Sequence, residues 1–230
     1  MSRKDWHKLF AEALGTAFLL AAVIGSGIMA EALAGGNDAL ALLCNTIPTG
    51  AILVVIILIF GAISGAHFNP AVTVAIAMRG AFPWPKAPAY IVAQLVGGLA
   101  GAWAAHFMFD LPILQASATL RTGAGQWFAE AVATFGLVMT IIGCVARAPA
   151  TVPYAVGLYI TSAYWFTAST SFANPAVTVA RAFTDTFSGI TPAHAPAFIA
   201  AQLVGAIVCV LVLRPLFPAE TVAEPRAPAA

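Results

Sequence analysis

Long apolar stretches separated by short polar turns dominate the chain. Six of them run at about residues 10–30, 40–63, 87–109, 128–145, 152–167 and 196–217. Most approach or exceed the roughly 20 residues that cross a hydrocarbon core of about 30 Å. Backbone polar groups in lipid must be satisfied within their own segment, and the alternation of a membrane β-strand is absent. These stretches therefore predict six transmembrane helices.

Two shorter apolar segments, at residues 69–78 and 174–183, are predicted as half-helices. A helix of about ten residues spans about 15 Å, which is half of the hydrocarbon core. Each segment begins with Asn-Pro, and asparagine is a favoured N-cap while proline is favoured at the first helical position. We therefore expect each half-helix to begin inside the membrane and to run outward.

The chain also contains an internal repeat. The residues Asn-Pro-Ala-Val-Thr-Val-Ala occupy 69–75 and again 174–180, and the segment at 87–97 returns with few changes at 195–205. Each half thus has three spans and one half-span. Because three is odd, the second half enters from the opposite face, which makes the repeats inverted. We expect a single all-α membrane domain over residues 1–230, with inverted repeats at about 8–110 and 126–217 and a flexible cytoplasmic tail at 218–230.

Inverted repeats would bring the two half-helix N-termini together at the centre of the membrane. Each N-terminus has unpaired N–H groups and about half a positive charge, and the asparagine amides add further donors. Such a centre disfavours cations and protons but lets neutral hydrogen-bonding molecules cross. The predicted pore centre consists of the two repeated tripeptides, Asn69, Pro70, Ala71, Asn174, Pro175 and Ala176.

Composition agrees with a membrane location. Of the 230 residues, 61% are hydrophobic and 8% are charged, and the mean hydropathy is +0.92. Soluble domains have roughly a quarter charged residues, so this chain needs lipid as its solvent. Apart from Arg121 and Arg181, all Lys and Arg residues fall on one side, which predicts two cytoplasmic termini in a bacterial inner (plasma) membrane. The net charge of +1 favours no nucleic-acid partner.

Residues 64–73, Ser-Gly-Ala-His-Phe-Asn-Pro-Ala-Val-Thr, resemble the first signature of the major intrinsic protein family, the aquaporins and glycerol facilitators. The resemblance extends from Glu12 to about Leu216. It implies an aquaporin-like channel domain in the lipid bilayer, with six transmembrane helices, two re-entrant half-helices and one pore per subunit. It also implies a homotetramer.

The resemblance further implies an outer selectivity filter built from four positions. Thr49 stands where the family usually has an aromatic residue. Counting without gaps places the fifth-helix position at Ser162, whereas a small gap places it at Tyr164, and Ser171 is the third position. Val177 stands where the family nearly always has arginine; it is smaller and lacks both donors and charge. We therefore expect a widened filter, similar to that of a bacterial branch linked to arsenic resistance.

Four further residues are candidates for a role in the pore. Glu12 and Glu130 are ionisable groups inside spans, where such groups are usually functional. The resemblance implies that both hold the pore loops by accepting hydrogen bonds; proton coupling is the alternative. His67 either packs against its loop or lines the inner mouth. Arg181 follows Val177 by four residues, on about the same helix face, and either guards the outer vestibule and attracts anions or lies beside lipid headgroups.

These observations predict a passive channel for small uncharged solutes: glycerol-like polyols, metalloid acids such as arsenous acid, and water. A strict water channel is the first alternative. An inverted-repeat secondary transporter is the second, although such proteins usually need more intramembrane charges than the paired glutamates. The sequence contains no nucleophile–base set and no metal-ligand cluster, so we expect no enzyme activity, no cofactor and no metal site.

Overall fold

The computed structural model describes residues 3–218, and all regular secondary structure in this part of the chain is helical. The predicted tail, beyond Pro218, lies outside the described residues. The eight α-helices of the described part are α1 (Arg3–Leu33), α2 (Asp38–Ser64), α3 (Pro70–Met78), α4 (Ala87–Met108), α5 (Ala124–Arg147), α6 (Val152–Phe166), α7 (Pro175–Ala182) and α8 (Ala195–Leu213). The all-α class and the two half-helices, α3 and α7, are as predicted.

Length and composition allow five of the helices in residues 3–218 to cross a membrane, namely α1, α2, α4, α5 and α8. The sixth, α6, has 15 residues, or about 22 Å, and is preceded by a 3-10 turn at Pro149–Thr151. Helix α5 is longer than the apolar segment at 128–145 because the helix continues through polar residues at both ends, where hydropathy no longer marks it. The fifth predicted span, α6, is therefore short in the structure as well, whereas the fourth, α5, is long enough to cross the membrane.

Small residues set the spacing between the long helices. Helix α4 packs against α1, and α8 packs in the same way against α5. A Cβ atom at Gly97 of α4 would collide with the carbonyl oxygen of Ala13, and one at Gly205 of α8 with that of Ala131. Glycine at these positions lets two helix backbones approach closely, which is the usual way that membrane helices associate. The two halves thus use the same contact twice.

The surface of the helical bundle is apolar. Large side chains such as Leu58, Ile59, Phe107, Phe128 and Leu158 are all more than half exposed. Contiguous apolar surface on this scale would cause aggregation in water, whereas it is the normal surface of a protein embedded in lipid.

The short helices owe their starting points to local capping. In α3 the side chain of Asn69 accepts hydrogen bonds from the backbone N–H groups of Ala71 (2.8 Å) and Val72 (3.4 Å). In α7 the side chain of Asn174 accepts from Ala176 (2.9 Å) and Val177 (3.3 Å). Proline follows the cap in both cases, where its missing N–H costs nothing. Sequence-local chemistry therefore determines where each half-helix begins.

Candidate conduction pathway

A cavity lined by residues of both halves has about 770 Å³ of empty space, part of it open to solvent. On α6 it is lined by Val152, Val156, Ile160 and Tyr164, which recur every four residues from the first turn of the helix nearly to the last. Twelve residues of helix measure about 18 Å. The cavity therefore follows one face of α6 over most of its length, which is the geometry of a path rather than of a pocket.

The two half-helices meet at this cavity through their capping asparagines, both of which line it. The side-chain amide of Asn69 donates to the carbonyl oxygen of Ala173 (2.7 Å), and that of Asn174 donates to the carbonyl oxygen of Phe68 (2.9 Å). Each amide has two N–H groups, so one remains to face a solute. The arrangement thus places two donors and two positive helix ends around one point of the path.

The other four residues of the predicted pore centre are not among the residues that line the cavity. Pro70 and Ala71 are buried, as are Pro175 and Ala176. Ala71 packs in a cluster with Val138 and Cys209. These residues start the half-helices and seat them against the bundle, whereas the asparagines are the ones that face the path.

Left-handed backbone conformations distinguish the loops that precede the half-helices. Ala66 and Phe68 have φ angles of 51° and 49°, and Thr170, Ser171 and Ala173 have φ angles between 47° and 61°. Non-glycine residues in this region cost about 1–3 kcal/mol each and persist only where their surroundings hold them. The structure must therefore contain groups that stabilise both loops.

Two buried carboxylates stabilise the loops. Glu12 accepts hydrogen bonds from the backbone N–H groups of His67 (3.0 Å) and Phe68 (2.7 Å). Glu130 accepts from Phe172 and Ala173, both at 2.9 Å. Each oxygen of the two carboxylates accepts from its loop, and both side chains are buried and do not line the cavity. Both carboxylates thus make the loop contacts that the family resemblance implies, and a role in loop support stays the hypothesis.

Gln94 and Gln202 complete these contacts, and neither was among the site residues predicted from the sequence. The amide of Gln94 donates to Glu12 (2.8 Å) and to the hydroxyl of Thr73 (3.0 Å). The amide of Gln202 donates to Glu130 (2.5 Å) and to Thr178 (2.8 Å). The signal that could have identified them was their recurrence in the repeated segments at 87–97 and 195–205.

His67 lines the cavity on the α3 side. Its Nδ1 lies 3.1 Å from the hydroxyl oxygen of Thr73, and its ring packs against the rings of Phe82 and Tyr90 at centroid distances of 5.0 and 5.3 Å. Across residues 3–218, no group of three or more His, Cys, Asp or Glu side chains is placed to hold a metal ion. His67 is therefore a packed wall residue of the path.

Three of the predicted filter positions, Thr49, Ser171 and Val177, line the cavity, whereas Ser162 does not belong to its wall. Ser162 is exposed and donates to the carbonyl oxygen of Tyr159 (2.8 Å). Tyr164 is buried, lines the cavity, and has its hydroxyl 3.4 Å from that of Thr49. Two residues correspond to about 200° around a helix, so only one of the pair can face the path. The ungapped candidate Ser162 therefore does not line the cavity, whereas the alternative, Tyr164, does, and its role in a filter stays a hypothesis.

Arg181 is 2% exposed and lines the same cavity. Its guanidinium carbon lies 3.5 Å from the centroid of the Phe172 ring, and its Nε donates to the carbonyl oxygen of Ser188. An arginine beside lipid headgroups would be exposed, so that interpretation is wrong. The role of Arg181 in an outer vestibule stays a hypothesis. Arg121, which the sequence did not single out as a site residue, approaches the same ring at 5.3 Å.

Comparison with known proteins identifies relatives. The family model described as major intrinsic protein matches residues 1–152 and 147–228. The aquaglyceroporin AqpS of Rhizobium meliloti (strain 1021) is 56% identical over 208 residues, which is 90% of this chain and 89% of AqpS. Nodulin-26 of Glycine max is 37% identical over 139 residues, or 60% of this chain and 50% of that protein. The X-ray structure of the aquaglyceroporin from Plasmodium falciparum has a TM-score of 0.73 at 22% identity, covering 93% of this chain and 98% of that one, and so shows the fold.

Proposed function

The chain belongs to the major intrinsic protein family, and we propose that it is a passive transmembrane channel for small uncharged solutes: glycerol-like polyols, metalloid acids such as arsenous acid, and water. The observation that supports this most directly is the cavity itself. It follows one face of α6 and includes both asparagines at the meeting point of the half-helices. A largely apolar wall with a few convergent donors suits neutral solutes that bear hydroxyl groups.

The side chains at the filter support solutes larger than water. Val177 offers a short apolar side chain where arginine would project into the path, and Thr49 is small. The relative with 56% identity is named an aquaglyceroporin. Arsenous acid fits the same description as glycerol, because it presents several hydroxyls around a compact uncharged centre. We therefore assign the polyol-sized class of solute to this chain.

Tyr164 is the observation that favours a strict water channel instead. Its ring enters the wall at the level of Thr49, with the two hydroxyl oxygens 3.4 Å apart, and thereby narrows the cavity on that side. The two candidate functions differ in one measurable property, which is whether a polyol passes at a rate comparable with water.

We further propose the membrane and the assembly. The protein is a multi-pass protein of the inner (plasma) membrane with both termini in the cytoplasm, and it assembles as a homotetramer. The distribution of Lys and Arg supports the orientation, and the family supports the tetramer. Labelling of single cysteines placed at 115 and 150, from either side of the membrane, tests the orientation. Native mass spectrometry of the purified protein tests the tetramer.

Stopped-flow light scattering on proteoliposomes tests the solute class. The native protein, Val177→Arg and Val177→Leu are compared for water, glycerol and arsenous acid. We expect the native protein to pass all three, and Val177→Arg to reduce glycerol and arsenous acid by about tenfold or more, which corresponds to about 1.4 kcal/mol of added barrier. Val177→Leu, which adds bulk without donors or charge, should reduce them less. A native protein that passes water alone would show that it is a water channel.

A further inference from the structure

Two arginines converge on one ring at the outer end of the cavity. The guanidinium carbons of Arg181 and Arg121 lie 3.5 and 5.3 Å from the centroid of the Phe172 ring. Both side chains also donate to the carbonyl oxygens of the segment that follows α7: Arg181 to Ser188, and Arg121 to Gly189 at 2.8 Å. In the part of the chain that the structure describes, neither guanidinium has a carboxylate within ion-pair distance. Their positive charges are therefore stabilised by hydrogen bonds to neutral carbonyl oxygens and by the face of the Phe172 ring.

Only one of the two arginines belongs to the wall of the path. Arg181 lines the cavity, whereas Arg121 is not among the residues that line it. The Nη1 of Arg181 is fully buried and has no hydrogen-bond partner among residues 3–218, and the same is true of the hydroxyl of Ser171, which lines the same cavity. A buried charged donor without a partner costs more than an unpaired neutral group, so we expect Arg181 to bind a hydrogen-bond acceptor that enters the cavity beside it.

The surroundings of Arg181 hold its guanidinium in one orientation. One face stacks on Phe172, and Nε is tied to the carbonyl oxygen of Ser188. Phe172 is in turn held by the hydrogen bond from its N–H to Glu130. Because the guanidinium is planar and rigid, fixing one face and one edge also fixes the direction of the remaining donors. Nη1 is therefore a preorganised donor.

We propose that Arg181 is the residue that excludes cations and binds the hydroxyl oxygens of entering solutes, together with the hydroxyl of Ser171. It lies four residues after Val177 on α7, which is about 6 Å along the helix axis. The positive charge is thus contributed by a residue about one turn away from the one that sets the width of the filter. A channel built in this way admits solutes of polyol size and still repels cations of the same size. This inference rests on the proposed channel function.

The ratio of guanidinium to glycerol uptake in proteoliposomes measures this exclusion. Guanidinium is permanently charged and no larger than glycerol, so size alone does not exclude it. A unit charge at an effective dielectric of about 20 changes the barrier for a monovalent cation about tenfold at a separation of about 12 Å. We therefore expect Arg181→Leu to raise the guanidinium-to-glycerol ratio by about tenfold or more. Arg181→Lys keeps the charge but not the planar donor, and should preserve the exclusion while slowing glycerol.

Arg121→Leu is the matched control. It removes an equal charge from the same ring and frees the same loop segment, but it leaves the cavity wall intact. The guanidinium-to-glycerol uptake ratio of Arg121→Leu should rise clearly less than that of Arg181→Leu. An equal rise in both variants would mean that the exclusion is not specific to Arg181 and would overturn the proposal, as would an unchanged ratio in Arg181→Leu.

A second variant guards against a folding defect. In the Arg181→Leu background, Val177→Arg returns a guanidinium to the path and should lower guanidinium uptake itself to the native level or below, although it also slows glycerol. If the exclusion is not restored in this double variant, the loss does not arise from the missing charge and the inference is wrong. A native protein that passes no glycerol would instead refute the proposed function, so the two failures are distinguishable.

Discussion

Replacing Glu130 with alanine should release the loop that precedes α7. The carboxylate accepts hydrogen bonds from the N–H groups of Phe172 and Ala173 at 2.9 Å and from Gln202 at 2.5 Å. Glu130 is completely buried, so no water replaces the lost acceptor. An unpaired buried N–H costs about 1–3 kcal/mol, and two of them together cost about 2–6 kcal/mol. Left-handed residues in the loop would then relax toward commoner conformations.

Glu130→Gln should be milder, because one acceptor oxygen remains. The Oε1 of Gln202 has no hydrogen-bond partner within the described residues, so its amide can rotate and accept from the new amide. One loop N–H is then left unpaired, at about 1–3 kcal/mol. The matched control is Glu31→Ala, which removes an exposed carboxylate from the end of α1 and should change nothing measurable.

Thermal unfolding in detergent and glycerol uptake in proteoliposomes measure the two consequences. In a chain of this size about 1 kcal/mol corresponds to about 2–4 °C, so Glu130→Ala should lower Tm by roughly 5–20 °C. Its glycerol permeability should fall even where the protein is folded, because the carbonyls of a relaxed loop no longer line the path. Native Tm and native uptake in Glu130→Ala would refute the idea that this carboxylate holds the loop. Equal losses of Tm and uptake in the alanine and glutamine variants would refute the idea that the effect depends on how many acceptor oxygens remain at position 130.

Two further predictions concern packing and the centre of the path. Gly97→Ala should destabilise the protein by about 1–3 kcal/mol, because its Cβ meets the backbone of Ala13, whereas Gly61→Ala faces open space and should not; melting temperatures in detergent compare the two. Asn174→Ala removes both the cap of α7 and the donor to the carbonyl oxygen of Phe68, so it should lower Tm and glycerol uptake together. A variant that melts earlier but conducts normally would show that the asparagine amide serves the fold alone.

Much of the architecture was predictable because it depends on neighbours in the chain. The N-caps of α3 and α7 are formed by the Asn-Pro pairs themselves, and both half-helices begin where the pairs predict. Apolar length located the spans, although hydropathy placed the start of α5 four residues late, since that helix continues through polar residues. The repeat indicated which parts of the two halves should correspond, and Gln94 and Gln202 do make equivalent contacts.

The filter shows where such reasoning stops. A count along the chain could not choose between Ser162 and Tyr164, because both belong to one helix and differ only in direction around its axis. Packing of α6 against α2 turns Tyr164 toward Thr49 and leaves Ser162 outside. Arg181 is a similar case, since its burial depends on Phe172 and on the segment after α7.

The sequence by itself determined the membrane environment, the helical class, the two half-helices and the residues that cap them. These properties follow from composition, from apolar length and from hydrogen bonds between residues two or three apart. Only the tertiary structure decided which side chains face the path and which support it. Asn69 binds the carbonyl oxygen of Ala173, and Asn174 that of Phe68, each across more than a hundred residues. Contacts of that kind depend on how whole helices rotate and pack, which no local pattern encodes.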